Sequence, residues 1–179
     1  MKKTLRTYAP GALALIAALA LGGCAQAAPS ASSSDTPSST PLSSTGDCSG
    51  VTVVVDFGTL DAEALTECVD ADASLAASTV MQTAGITTEG TVEYGDQIVC
   101  RVNDRPAADE TVEVEGEASF TEACASMPAA YAYWALWVKP TPDADWAYAQ
   151  EGLGSLQTAP GETLGLVYTT GTETPTPGS

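Results

Sequence analysis

The chain contains no histidine. That absence excludes a Ser-His pair and every histidine-ligated metal site. Basic residues are almost as scarce. Six Lys and Arg stand against 23 Asp and Glu, a formal net charge of −17. Nucleic acid and anionic lipid repel a chain of that sign. Long apolar runs are also missing. The run Gly11 to Leu21 has eleven residues, where a permanent membrane helix needs about 20. None of the five cysteines forms a C-x₂₋₄-C pair, so zinc finds no usable ligand spacing.

What is present begins with position. Met1 to Pro10 carries Lys2, Lys3 and Arg6 and no acid, directly ahead of the apolar run. A basic segment, a short apolar segment and small residues make an export signal. Leu21-Gly22-Gly23-Cys24 resembles the lipobox cut by the lipoprotein signal peptidase. The resemblance implies a signal peptide at 1–23 and a diacylglycerol on Cys24. Two or three acyl chains anchor a protein stably without a membrane helix. The expected location is therefore the extracytoplasmic side of the cell membrane, with the membrane itself as a partner through Cys24. Three of the six bases lie in the signal, so the mature chain keeps three bases against 23 acids, or −20.

Residues 24–46 read as a tether. Ala25 to Gly46 holds eight serines in 22 residues, with Pro29, Pro37 and Pro41 among them. Such a segment buries too little apolar surface to offset its ordering entropy. As a flexible coil it spans ~25 Å. The tail 171–179, GTETPTPGS, has the same composition and is expected to fray.

One domain is expected at 47–170. Cys48, Cys68, Cys100 and Cys124 are an even set in an exported domain, which implies two disulfides. Three pairings are open. The sequential pairing is favoured: it closes loops of about 20 and 24 residues, each worth about 3 kcal/mol in the chain-entropy model. A first hairpin would also bring Cys48 and Cys68 to the same end.

The strand pattern is clearest at Val51 to Phe57, with Val51, Val53, Val55 and Phe57 on one face. A return strand is expected around Ala64 to Val69. Asp72 to Ala84 reads as a helix, capped by Asp72 and closed by Gly85, with Leu75, Ala76, Thr79, Val80 and Ala84 on its apolar face. Thr87 to Tyr94 and Gln97 to Asn103 make a hairpin around Gly95-Asp96. Asn103-Asp104-Arg105-Pro106 signals a turn. Tyr131 to Val138, Trp146 to Gln150 and Thr163 to Thr169 complete the strands. The fold class is α+β, with one main helix on one face of a mixed sheet.

Few residues can carry chemistry. The cysteines are committed to disulfides and lipid, and no carboxylate spacing predicts a catalytic pair, so no enzyme and no required cofactor are expected. Glu113, Glu115 and Glu117 alternate within DETVEVEGEASFTE, which puts them on one face of a strand. Two readings are open there: calcium binding by several oxygens, or a solvated hairpin face. No metal site is assigned. The more informative cluster is aromatic. Tyr131, Tyr133, Trp134, Trp137, Trp146 and Tyr148 fall within 18 residues. Alternation sets Tyr131, Tyr133 and Trp137 against Trp134, Leu136 and Val138. Both sets cannot be equally buried beside one helix. Tyr131, Tyr133, Trp137, Trp146 and Tyr148 are the candidate ligand-binding residues, for a planar ligand, a sugar or a protein.

The order VTVVVDFG, Cys68-Val69, SLAASTVMQTAGI, QIVCRVNDRPAA, Cys124, Met127-Pro128, AYAYWALW, WAYAQEGLG and PGETLGLVY resembles a group of secreted and lipid-anchored Gram-positive proteins. These are similar to the transcobalamin-like C-terminal domain. The resemblance covers most of Cys48 to Tyr168 and is most specific at Tyr133-Trp134 and Trp146-Ala147-Tyr148. It implies a β-grasp-like fold that caps cobalamin held by a separate helical barrel. No such barrel occurs in these 179 residues, and acidic residues are added between Pro106 and Cys124. The expected function is a surface-anchored binding module, monomeric, for a cofactor-like ligand such as a corrinoid or for a membrane transporter. A protease inhibitor or adhesion domain is the alternative.

Overall fold

In chain order the strands and helix are β1 (Val51–Asp56), β2 (Leu65–Val69), β3 (Leu75–Ala76), α1 (Ala77–Thr83), β4 (Thr88–Thr91), β5 (Gly95–Val102), β6 (Ala132–Lys139), β7 (Ala147–Tyr148), β8 (Gln157–Thr158) and β9 (Thr163–Thr170). They belong to a computed structural model that describes residues 48–178. The segments expected to be a signal peptide and a tether, and Cys24 with them, lie outside the described residues.

The β-branched alternation of β1 becomes a buried face. Val51, Val53 and Val55 are at most 1% exposed, and Phe57 continues the face at 3%. Beside β1 runs β9, in parallel, with Val53 opposite Leu164 and Val55 opposite Leu166. β6 pairs antiparallel with the other edge of β9, placing Trp134 opposite Tyr168 and Leu136 opposite Leu166. β2 and β7 form the edges, so the order is β2-β1-β9-β6-β7. A hairpin, a helix, and a last strand returning parallel to the first make this a β-grasp-like α+β fold. Both disulfides are sequential, Cys48–Cys68 and Cys100–Cys124.

The helix is shorter than its sequence pattern. Asp72 does not cap it; the N-cap is Ala76, extended at ψ 137° and with no side-chain hydrogen bond. Leu75 and Ala76 pair instead with Thr158 and Gln157 of β8. The apolar face shifts accordingly, burying Ala77, Val80 and Met81. Tertiary pairing has overridden local propensity there. Gly85 follows the helix at φ +74°.

The second hairpin also departs from its pattern. Its turn is Val92 to Tyr94, and Gly95 already pairs with Thr91. Val92 and Glu93 are diverted because their N–H groups donate to the carbonyls of Cys124 and Ala125. Four consecutive β5 residues, Val99 to Val102, are buried. The long connection 103–131 therefore covers the face of the hairpin that the sheet does not. Arg101 ties it down. Its Nε donates to the Pro106 carbonyl at 2.8 Å, Nη1 to Glu89 Oε2 at 2.8 Å, and Nη2 to the Glu122 carbonyl. The adjacent Cys100 holds the same connection covalently through Cys124.

Behind the sheet, the tail expected to fray lies against the outer face. Thr169 Oγ1 donates to the Glu173 carbonyl at 2.7 Å, Tyr133 and Thr174 share a hydroxyl contact at 3.2 Å, and Gly178 N–H donates to Asp56 Oδ2 at 3.3 Å. Pro177 is buried. Val167 and Thr169 share the face of Ala135 and Tyr133 by register, yet each is 1% exposed. Gly165 is the contact point. A Cβ there would stand 2.5 Å from Pro177 Cγ and 2.9 Å from Trp146 Cη2. Ser/Thr/Pro composition describes the strap, but the groove it occupies exists only after folding.

Gly165→Val is expected to lower stability by about 1–3 kcal/mol through overpacking and to accelerate amide exchange at Gly178. Urea denaturation and exchange mass spectrometry check both. Arg101→Met leaves the Pro106 and Glu122 carbonyls without their donor, and a loss of about 2–4 kcal/mol is expected, read in the same denaturation assay.

Candidate functional site

The site follows from how β7 ends. Only Tyr148 and Ala147 pair with β6, opposite Trp137 and Val138. Ala149 N–H then donates to the Leu136 carbonyl at 2.9 Å, and the chain leaves the sheet. It leaves because Leu153 is drawn into the core, where it is 1% exposed. Gly152 permits the departure by lying on the Gln97 backbone; a Cβ there would stand 2.4 Å from the Gln97 carbonyl oxygen. Among the described residues, the diversion leaves the β7-side edge of β6 from Ala132 to Ala135 without a paired strand.

Beside that edge lies a groove of about 430 Å³. Tyr133, Trp134 and Leu136 of β6 form one side. Ile98 and Val99 of β5 form the other. Met127 and Tyr148 stand at the rim, 62% and 42% exposed. Gln97 and Gln150 supply amides, and Glu151 is the one charged lining residue. Burial, and then a hydrogen bond and charge interaction with Tyr133, hold the Tyr148 hydroxyl well above the usual phenol range. The Tyr148 phenol thus stays neutral and presents a hydroxyl rather than a tyrosinate. Such a lining can hold a flat or apolar ligand and orient it by amide and hydroxyl contacts. It offers no nucleophile–base pair.

The five predicted aromatics do not act together. Tyr133 and Tyr148 reach the groove. Trp137 lies on the outer face, its ring centroid 4.9 Å from that of Tyr148, with its indole Nε1 buried and unpartnered among the described residues. Trp146 packs over Gly165, with the Lys139 ammonium 5.3 Å from its ring. Tyr131 is separated from the set. It precedes β6, so alternation does not extend to it, and it meets Phe120 edge-on at 6.0 Å. Most of the lining, Trp134 and Met127 included, was not among those candidates. Trp134 belongs to the core-facing set, and Met127 carried a signal only as part of Met127-Pro128. Trp134 closes the groove from below. It meets Phe57 and Tyr168 edge-on at 5.4 Å each and donates from Nε1 to the Arg105 carbonyl at 3.1 Å.

The acidic run does not build a strand. Val112 and Val114 turn inward and Glu113, Glu115 and Glu117 outward, with one isolated bridge between Val112 and Phe120. Among the described residues, three potential metal-ligand atoms come within 4.8 Å only at Cys100, Glu122 and Cys124, and those two sulfurs are bonded to each other. A polar hollow of about 460 Å³ lies between α1 and β4, lined by Ser78, Thr79, Gln82, Thr87 and Asp96 among others. Among the described residues no helix is long and apolar enough to cross a membrane. Comparison with known proteins finds no matching family model, no similar curated protein and no similar solved structure.

Beneath the site, burial raises the Tyr168 phenol from 10.0 to about 12, helped by the charges of Glu122 and Glu110. The unfolded chain therefore releases this proton first. The contribution is fully present below pH 10 and is lost as pH rises towards 12. The unfolding free energy from urea titrations should fall across that window, by at most about 2–3 kcal/mol for this group. Tyr168→Phe should flatten the slope.

Proposed function

We propose that this chain is a lipid-anchored, extracytoplasmic binding module that holds its ligand in the groove at the β6 edge. The observation that carries the reading is the groove itself: an apolar, aromatic hollow of about 430 Å³ with Met127 and Tyr148 exposed at its rim. That volume falls in the range of small-molecule sites. Exposed large apolar side chains beside a concave wall are the usual mark of a binding surface. The lipobox-like Cys24 and the tether after it would present the groove outside the membrane, within reach of a transporter or another membrane protein.

A corrinoid is the sharpest ligand class, in line with the resemblance to transcobalamin-like domains. Its macrocycle is larger than the groove. It would rest one edge against Tyr148 and Met127 and leave the other side to a partner protein. The role is one of holding and presenting rather than of catalysis, consistent with a neutral Tyr148 phenol, two amides and a single carboxylate in the lining.

Calorimetric titration of the full chain in detergent with cyanocobalamin and cobinamide tests the corrinoid version. Saturable binding is expected, weakened about two- to tenfold by Tyr148→Ala, the size of one aromatic contact, with little change in Tm. Absence of binding at high micromolar ligand would remove the corrinoid from the reading.

A further inference from the structure

The groove takes its walls from both faces of one strand. Tyr133 belongs to the outer face of β6, while Trp134 and Leu136 belong to its core face, opposite Tyr168 and Leu166. A cavity above a sheet face touches alternate residues only. Contact with consecutive residues places this cavity off the edge of β6, where main-chain groups point.

The direction of those groups is fixed by one hydrogen bond. The Leu136 carbonyl accepts from Ala149 on the β7 side. In an antiparallel strand the N–H and C=O of one residue point the same way, and residues two apart agree. The N–H and C=O of Trp134 therefore point into the groove, beyond the end of the two-residue β7. Ala132 N–H, one step further, is taken by the Ala129 carbonyl. Open edges are commonly guarded by Lys, Pro or a bulge. Ala132-Tyr133-Trp134-Ala135 has none of these.

From these observations, and resting on the reading of the groove as the ligand site, we infer that its occupant is an extended, basic polypeptide segment that adds as a strand to the open edge of β6. Main-chain pairing with Trp134 gives the register. Alternate side chains of the incoming segment then fall on the Val99 and Met127 side or against the Tyr148 ring, as strand addition to a sheet edge requires. The stretch Ala132 to Leu136 accommodates four or five residues at ~3.3 Å each. Charge sets the sign. The described residues hold 21 acids and three bases. Arg101 pairs with Glu89, Arg105 with Glu110, and Lys139 sits over Trp146. Glu151 lines the groove and Asp96 adjoins Gln97 of its wall. A Lys- or Arg-bearing segment is attracted to this rim and an acidic one is repelled.

The test uses the full chain in detergent and the peptide acetyl-KVKVKV-amide. Two further versions carry N-methyl groups on every valine or on every lysine, so each blocks one edge of the strand at unchanged charge. One methylated peptide is expected to lose at least about tenfold in affinity while the other binds nearly as well as the parent. Amide exchange at Trp134 should slow on binding. Glu151→Lys should weaken the parent peptide about two- to fivefold. Equal affinities for the two methylated peptides, or no protection at Trp134, overturn the inference, since charge attraction alone does not distinguish edges. Corrinoid binding in the groove without peptide binding overturns it too, and leaves the groove as the ligand site. If neither probe binds, both the inference and the site reading fall.

Discussion

The parallel pairing of β1 with β9 is the constraint on which the rest of this structure depends. It joins Val53 to Leu164 and Val55 to Leu166, so the first and last strands of the domain lie side by side at the centre of the sheet. A parallel pair cannot be closed by a tight turn and needs a long crossover. Here everything between the two strands serves as that connection. β2 and β6 then take the outer edges of the pair, and α1, the second hairpin and the 103–131 connection cover the core face. The buried valines and leucines of the two strands supply the apolar area that holds these parts together.

The cover over the core is secured differently from the sheet. The connection 103–131 contains little regular structure, so its carbonyls need partners from elsewhere. Arg101 supplies two of them and the Cys100–Cys124 disulfide fixes the same stretch. A guanidinium suits this task, because its fixed fork of donors can serve several carbonyls at once. With the connection anchored, Arg105 presents its carbonyl to the indole of Trp134. The floor of the groove is thus built from the sheet and from an irregular segment pinned by a buried cation.

The groove and the strap share an origin in how the sheet ends. On the outer face, residues 171–178 lie across β9 and bury Val167 and Thr169. At the β6 edge, the burial of Leu153 pulls the chain away after Tyr148 and leaves main-chain groups facing an apolar hollow. In the first case a polar tail covers a face. In the second, a core leucine uncovers an edge. The proposed ligand site is in this sense a consequence of core packing on the far side of β6.

The sequence by itself determined the features that depend on composition or on near neighbours. Valine alternation settled β1 and its buried face, because a period of two has one physical reading beside a core. An even cysteine set and a first hairpin pointed to the pairing that occurs. The outward turn of Glu113, Glu115 and Glu117 followed from their alternation with Val112 and Val114, although no regular strand forms there. Tertiary structure alone decided the features that depend on contacts distant in sequence. Leu75 and Ala76 left the helix because Gln157 and Thr158 offered a partner, and the second turn moved to Val92 because Cys124 and Ala125 accepted its hydrogen bonds. The tail ordered because Gly165 left room for Pro177. The groove was invisible for the same reason. Alternation divides Tyr133 from Trp134, and only at the edge of a strand, whose pairing is set by residues far along the chain, do both line one cavity.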